Sequence, residues 1–202
     1  MLHITSGRTQ ITEVLLCGNR CLGLLKYKFY CFNPKYSIMH DYSRFTKRIA
    51  IKAPTTVIYE LWATQTGLER WFLRSAPYTS ADKAVRDQDE YATVNDTYEW
   101  RWHGWGDEAI ERGTVLEANG VDRFKFSFGK AGNVTVSIKE QDGLAICELL
   151  QDNIPTDEET TWNFFIGCQT GWTFYLTNLK SILEGGIDLR NRDEKLGGVV
   201  NS

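Results

Sequence analysis

Seven Trp, nine Tyr and ten Phe are the residues of this 202-residue chain best suited to do chemistry, and the chemistry they suit is non-covalent. Aromatic rings carry large apolar surface and line cores and ligand cavities alike. Alternation and helical spacing turn nine side chains toward one interior: Trp71, Phe72, Trp100, Trp102, Phe124, Phe126, Trp172, Tyr175 and Leu179. Taken singly, each serves a core as well as it serves a ligand. Together they exceed what a thin two-layer core needs. A pocket also requires a few polar anchors. Tyr98, Tyr175 and Glu148 are the candidates, with Glu148 set in the apolar run 146–150 in a register that the pattern leaves open.

The residues that do covalent or proton chemistry are sparse. His103 follows Trp102, so alternation sends it to the opposite face from Trp100 and Trp102, away from a buried substrate. Cys147 and Cys168 sit in apolar surroundings and read as small hydrophobes rather than nucleophiles. No nucleophile–base pair, phosphate-binding glycine loop or metal-ligand cluster stands out, so the pattern implies no cofactor. Cys17, Cys21 and Cys31 with His3 or His40 could hold a metal, but their spacing matches no strong zinc pattern.

The elements that must position the aromatic set are legible. Residues 45–53 alternate as a strand. Pro54-Thr55-Thr56 then opens a helix with Val57, Ile58, Leu61 and Trp62 at helical spacing. A second short helix spans about 66–72. Residues 73–96 are polar, with one short strand and a loop rich in Asp and Glu. Tyr98, Trp100 and Trp102 alternate in one strand. Residues 109–117 form another, where Gly113 marks a bulge or a close approach. Phe124, Phe126 and Phe128 alternate in the next, followed by Val134, Val136 and Ile138. Asp142-Gly143 is a hairpin signal leading into 144–151. Each strand has one apolar and one polar face, the mark of an antiparallel sheet covered on one side. The cover is a helix over about 157–184, opened by a Thr156-x-x-Glu159 capping box. Phe165, Cys168, Trp172, Leu176, Leu179 and Leu183 form its apolar stripe, and Gly185-Gly186 stops it. At that length it is roughly 40 Å long.

Totals bound the rest. Hydrophobic residues make up 42% and charged ones 24%, with net charge −3, so no global basic footprint for nucleic acid exists. No uninterrupted apolar run is long enough for a membrane span. An odd count of five cysteines does not read as a secreted disulfide framework and fits a reducing, cytoplasmic setting. Residues 1–38 differ from the remainder: they carry +4 against −7, and three of the five cysteines. The sequence divides into an N-terminal extension over 1–40, disordered or an upstream reading of the start, then a domain over 41–190 and a polar tail over 191–202.

The stretch Ile51 to Phe72, IKAPTTVIYELWATQTGLERWF, resembles the opening of START-like (birch-pollen-allergen-like) domains. Gly171 to Arg190, GWTFYLTNLKSILEGGIDLR, resembles their closing helix in one branch. That branch is named after the activator of the ninety-kilodalton heat-shock protein's ATPase. The resemblance implies an α+β helix-grip fold: a curved antiparallel sheet wrapped around a long C-terminal helix, with two short helices after the first strand. It implies no fixed catalytic residues. Three functions are expected, the first from the aromatic content of the inward faces and the others from the resemblance. The first is a non-catalytic carrier or sensor of a small hydrophobic molecule, held between helix and sheet. The second is a co-chaperone-like module with a chaperone as partner. The third is a cyclase or aromatase that positions its substrate. A monomer and a homodimer are both compatible with this pattern.

Overall fold

A computed structural model describes residues 40–157, 161–193, 195–196 and 199. The N-terminal cysteines and Glu158 and Glu159 of the expected capping box lie outside the described residues. Seven strands form one antiparallel sheet in the order β1-β7-β6-β5-β4-β3-β2. They are β1 Phe45–Ile51, β2 Tyr78–Thr79, β3 Thr97–Trp100, β4 Glu111–Ala118, β5 Arg123–Ser127, β6 Asn133–Gln141 and β7 Leu144–Asp152. Two short helices, α1 Thr55–Ala63 and α2 Gln65–Trp71, follow β1, and α3, Gly167–Leu183, closes the domain.

Local chemistry explains the helix boundaries. Pro54, with φ fixed near −59°, precedes α1, where a missing N–H costs nothing. Thr64 separates the two helices: its Oγ1 accepts a hydrogen bond from Gly67 N at 2.9 Å and caps α2. At the far end, Gly185 takes a left-handed φ of 83°, and Gly186 N donates to Ser181 O at 2.8 Å.

The last helix differs from expectation at its start. The α-helix begins at Gly167 and is preceded by a π-helical turn over Thr161–Ile166. Seventeen α-helical residues span about 25 Å rather than 40 Å. The stripe itself holds: Phe165, Trp172, Leu176 and Leu179 are buried, while Cys168 and Leu183 are half-buried.

The sheet is shaped by its glycines and by one irregularity. Asp142 and Gly143 both take positive φ, and their hairpin fixes the β6–β7 register. The bulge of β4 falls between Val115 and Glu117, not at Gly113. Gly113 is instead a close approach, because a Cβ there would collide with the Tyr98 hydroxyl packed across it. Gly113→Ala is therefore expected to destabilise the domain by about 1–3 kcal/mol, as overpacking does. Urea unfolding of the two proteins checks it, and an unchanged midpoint would refute the close approach.

Trp102 does not continue β3. The strand ends at Trp100, Arg101 bridges to Ser75, and the chain leaves the sheet through Gly104 at φ 75°. Residues 101–110 thus form a loop at the sheet edge beside α3.

The segment after α3 ties the domain together. The Arg190 side chain is 1% exposed. Its guanidinium donates to the carbonyls of Glu69, Arg70 and Leu73 at 2.8–3.1 Å, and to the Asp188 carboxylate. Asn178 on α3 donates to Trp71 O at 2.7 Å and to Asp188, and accepts from Leu189 N. Helix carbonyls left open at the end of α2 are thereby satisfied from α3 and the chain beyond it.

Asp188 makes this clamp acid-sensitive. Burial raises its pKa, but hydrogen bonds from Arg190 and Arg192 outweigh that effect and hold the carboxyl well below its ordinary 3.8. A depressed folded-state pKa contributes stability that is complete above the unfolded value and is lost as pH falls through the folded one. Asp188→Asn is thus expected to lower the melting temperature much more at pH 7 than at about pH 2. Thermal scans across that range test this, and an equal loss at both ends would contradict it.

Candidate functional site

Much of the aromatic set lies in the core. Trp71, Trp100, Phe124, Phe126 and Leu179 are 0–1% exposed. Their rings pack on neighbours: Trp62 on Trp71 at 4.6 Å, Trp100 on Phe126 at 5.0 Å. These five side chains therefore belong to the packed core. An open cleft of about 440 Å³ lies at one edge, between α3, the 101–110 loop and the start of β4.

Of the ligand-cavity candidates from sequence, four line this cleft: Phe72, Trp102, Trp172 and Tyr175. Phe72 is their common neighbour, with ring centroids 6.0 Å from Trp102, 5.0 Å from Trp172 and 4.7 Å from Tyr175. Phe128 adds a further wall, 5.6 Å from Trp172, and Trp105 stands 60% exposed beside it.

The other candidates sit elsewhere. Tyr98 stacks on Trp100 at 3.8 Å, and its hydroxyl donates to Ser127 O, so it is not free to anchor a ligand. Glu148 faces outward. In β7 the residues Cys147, Leu149 and Gln151 point inward, so Glu148 takes the opposite parity and bonds Arg48 across the β1–β7 pair at 3.1 Å. His103 lies near Arg190 and Arg192; burial and those two cations lower its pKa.

Polar groups missed by sequence reading hold the walls in place. Gln151, fully buried, accepts from Trp172 Nε1 at 2.8 Å and donates to Ala131 O at 2.8 Å. This fixes the Trp172 ring at the cleft. Inward parity in β7 was the signal that could have found it.

Glu111 was also missed. It opens β4, two residues before Gly113 and four before the buried Val115, which puts it on the inward register. Burial pushes its carboxyl above the usual carboxylate range, against a hydrogen bond with the Arg112 backbone.

Nucleophilic chemistry is not prepared here. Burial raises the Cys168 thiol, opposed by a hydrogen bond with Gln151, and raises Cys147 to about 12. Both stay protonated at neutral pH. Among the described residues, no group of three or more His, Cys, Asp or Glu could hold a metal, and no helix is long and apolar enough to cross a membrane.

A seven-stranded antiparallel sheet closed over by one C-terminal helix, with two short helices after the first strand, defines a START-like domain of helix-grip architecture. Residues 52–184 match the family described as Activator of Hsp90 ATPase homolog 1-like protein, and the chain belongs to it.

Solved structures agree on the fold. The Aha1 dimer from Colwellia psychrerythraea is 18% identical, with TM-score 0.54, covering 71% of this chain and 97% of that one. A protein of Staphylococcus saprophyticus is 17% identical with TM-score 0.56, covering 73% and 96%. DynU16, described as a putative protein in the dynemicin biosynthetic locus, is 15% identical with TM-score 0.54, covering 74% and 50%. Identity at this level carries the fold alone. No match to a curated protein was found.

Proposed function

We propose that this protein binds a small hydrophobic molecule in the edge cleft, as a non-catalytic carrier or sensor. The observation that carries this reading is the cleft itself: about 440 Å³, open to solvent and walled by aromatic rings. Its volume falls in the range of small-molecule sites, which are concave and mostly apolar with a few polar groups. Two glycines of α3, Gly167 and Gly171, line it one helical turn apart, and a Cβ at Gly171 would meet no heavy atom within 4 Å. A glycine inside a helix costs about 1 kcal/mol relative to alanine, so the space left open at Gly171 carries a stability cost.

A thermal-shift panel of apolar compounds tests the reading. Compounds that bind the folded state raise the melting temperature, and their effect disappears when Gly171 is replaced by Phe. A panel with no shift at millimolar concentration argues against it.

One observation supports an enzymatic alternative of the cyclase type: Glu111 offers an acid–base group in the cleft. Recovery of a chemically altered ligand, lost in Glu111→Gln, would establish that alternative. The family's description also motivates a co-chaperone reading. A pulldown with an Hsp90-type chaperone and its ATPase rate decide that one.

A further inference from the structure

Glu111 is the one charged side chain among the described residues that line the aromatic cleft. Room for its carboxylate is kept by a glycine. Gly129, at φ 44°, lies directly against it, and a Cβ there would fall on the carboxylate oxygens. Among the described residues no Lys or Arg pairs with Glu111. The adjacent Arg112 is committed to Glu99 at 2.8 Å, and Lys130 in the neighbouring turn is exposed to solvent and makes no ion pair with a described residue.

A half-buried carboxylate without a counter-charge is unfavourable; the Arg112 backbone hydrogen bond offsets part of that cost, and a cation beside it would offset more. The aromatic rings that line the same cleft favour the cation. Trp, Tyr and Phe attract positive charge through their quadrupoles, and the attraction is stronger where water is excluded. A neutral ligand would leave the carboxylate uncompensated, and an anion would be repelled.

We propose that the cleft selects a small organic cation, a protonated or quaternary amine on an apolar body, with Glu111 as its counter-ion and the rings of Phe72, Trp102, Phe128, Trp172 and Tyr175 around it. This rests on the reading of the cleft as a ligand site and names the chemical class of that ligand.

The test uses a charge-isostere pair on the whole unaltered chain: benzyltrimethylammonium and its uncharged carbon analogue neopentylbenzene. Indole N–H signals in NMR titrations report binding, because Trp102, Trp105 and Trp172 line the cleft. The cation is expected to bind about tenfold more tightly than the neutral analogue. Glu111→Gln, of the same shape, is expected to shrink that ratio to below about threefold without weakening the neutral probe. Equal affinity of the two probes for the unaltered chain overturns the cation assignment and leaves the apolar-ligand reading standing. A preference that persists in Glu111→Gln overturns the role of Glu111. If neither probe shifts the indoles at millimolar concentration, the cation assignment fails. The panel of apolar compounds then separates that failure from failure of the ligand site as a whole. The wild-type comparison needs no variant, so a folding defect in Glu111→Gln would not remove the test.

Discussion

Replacing Arg190 by Ala is expected to lower the melting temperature by roughly 10 °C, a large effect for one substitution in a domain of this size. The side chain is 1% exposed and makes two kinds of contact at once. It pairs with Asp188 through both carboxylate oxygens at 2.8–3.2 Å. It also supplies N–H donors to the carbonyls of Glu69, Arg70 and Leu73. Truncation leaves Asp188 short of its main partner and the end of α2 with unsatisfied carbonyls. Breaking one side of a buried pair costs about 3–5 kcal/mol, and such a domain loses a few degrees per kcal/mol.

Lysine should recover little, because one ammonium cannot reproduce a planar fork that reaches three carbonyls and a carboxylate. Arg192 is the control. It also bonds Asp188, but its side chain is 59% exposed, so Arg192→Ala should shift stability by less than about 1 kcal/mol. Circular-dichroism melts of the three variants decide this. A loss under about 2 °C in Arg190→Ala would mean that water replaces the clamp without penalty.

Gly171→Phe should abolish ligand binding in the cleft while leaving the fold intact or firmer. A Cβ at Gly171 meets no heavy atom within 4 Å, so a side chain enters open space. A helical side chain leans toward the preceding turn, which here carries Gly167 and Cys168, both on the cleft wall. The new ring therefore lies in the cleft against Trp172 and its neighbours. Removing a helix glycine stabilises by about 0.5–1 kcal/mol, and covering apolar surface adds to it.

The expected pair of results is a melting temperature at or above that of the parent and at least about a tenfold loss of affinity, the equivalent of about 1.4 kcal/mol. Gly171→Ala separates the two effects: it should gain the helix stabilisation and keep the cleft open. Isothermal titration with any compound that shifts the parent protein is the measurement. Unchanged affinity in the Phe variant would place the ligand elsewhere on the molecule.

Several particulars of the fold were legible because they depend on local periodicity. The stripe from Phe165 to Leu183 follows the turn of a helix, and the strands around Trp100, Phe124, Val134 and Cys147 follow a period of two. Asp142-Gly143 and Gly185 were legible because left-handed backbone restricts residue choice. Glu148 was ambiguous for the reason that makes strands readable: shifting parity by one residue turns the side chain to the other face. Pairing with β1 and β6 resolved it outward. Glu111 and Gln151 carried a faint signal, since both are polar residues at inward parity, but parity alone does not say what they meet.

Spacing along the chain settles the layers of this protein: an antiparallel sheet covered on one face, a striped helix to cover it, and an aromatic content too large for a plain surface. Each of those rests on relations between a residue and its near neighbours in sequence. Which aromatics fill the core and which wall a cleft is set by packing in three dimensions. Trp100 and Trp102 look alike in sequence, yet the chain leaves the sheet between them, burying one and making the other a cleft wall. The tie between Arg190 and the carbonyls of α2 was beyond any pattern for the same reason. It joins residues some 120 positions apart, and distance in space between such residues is set by packing of the whole domain rather than by the period of any one element.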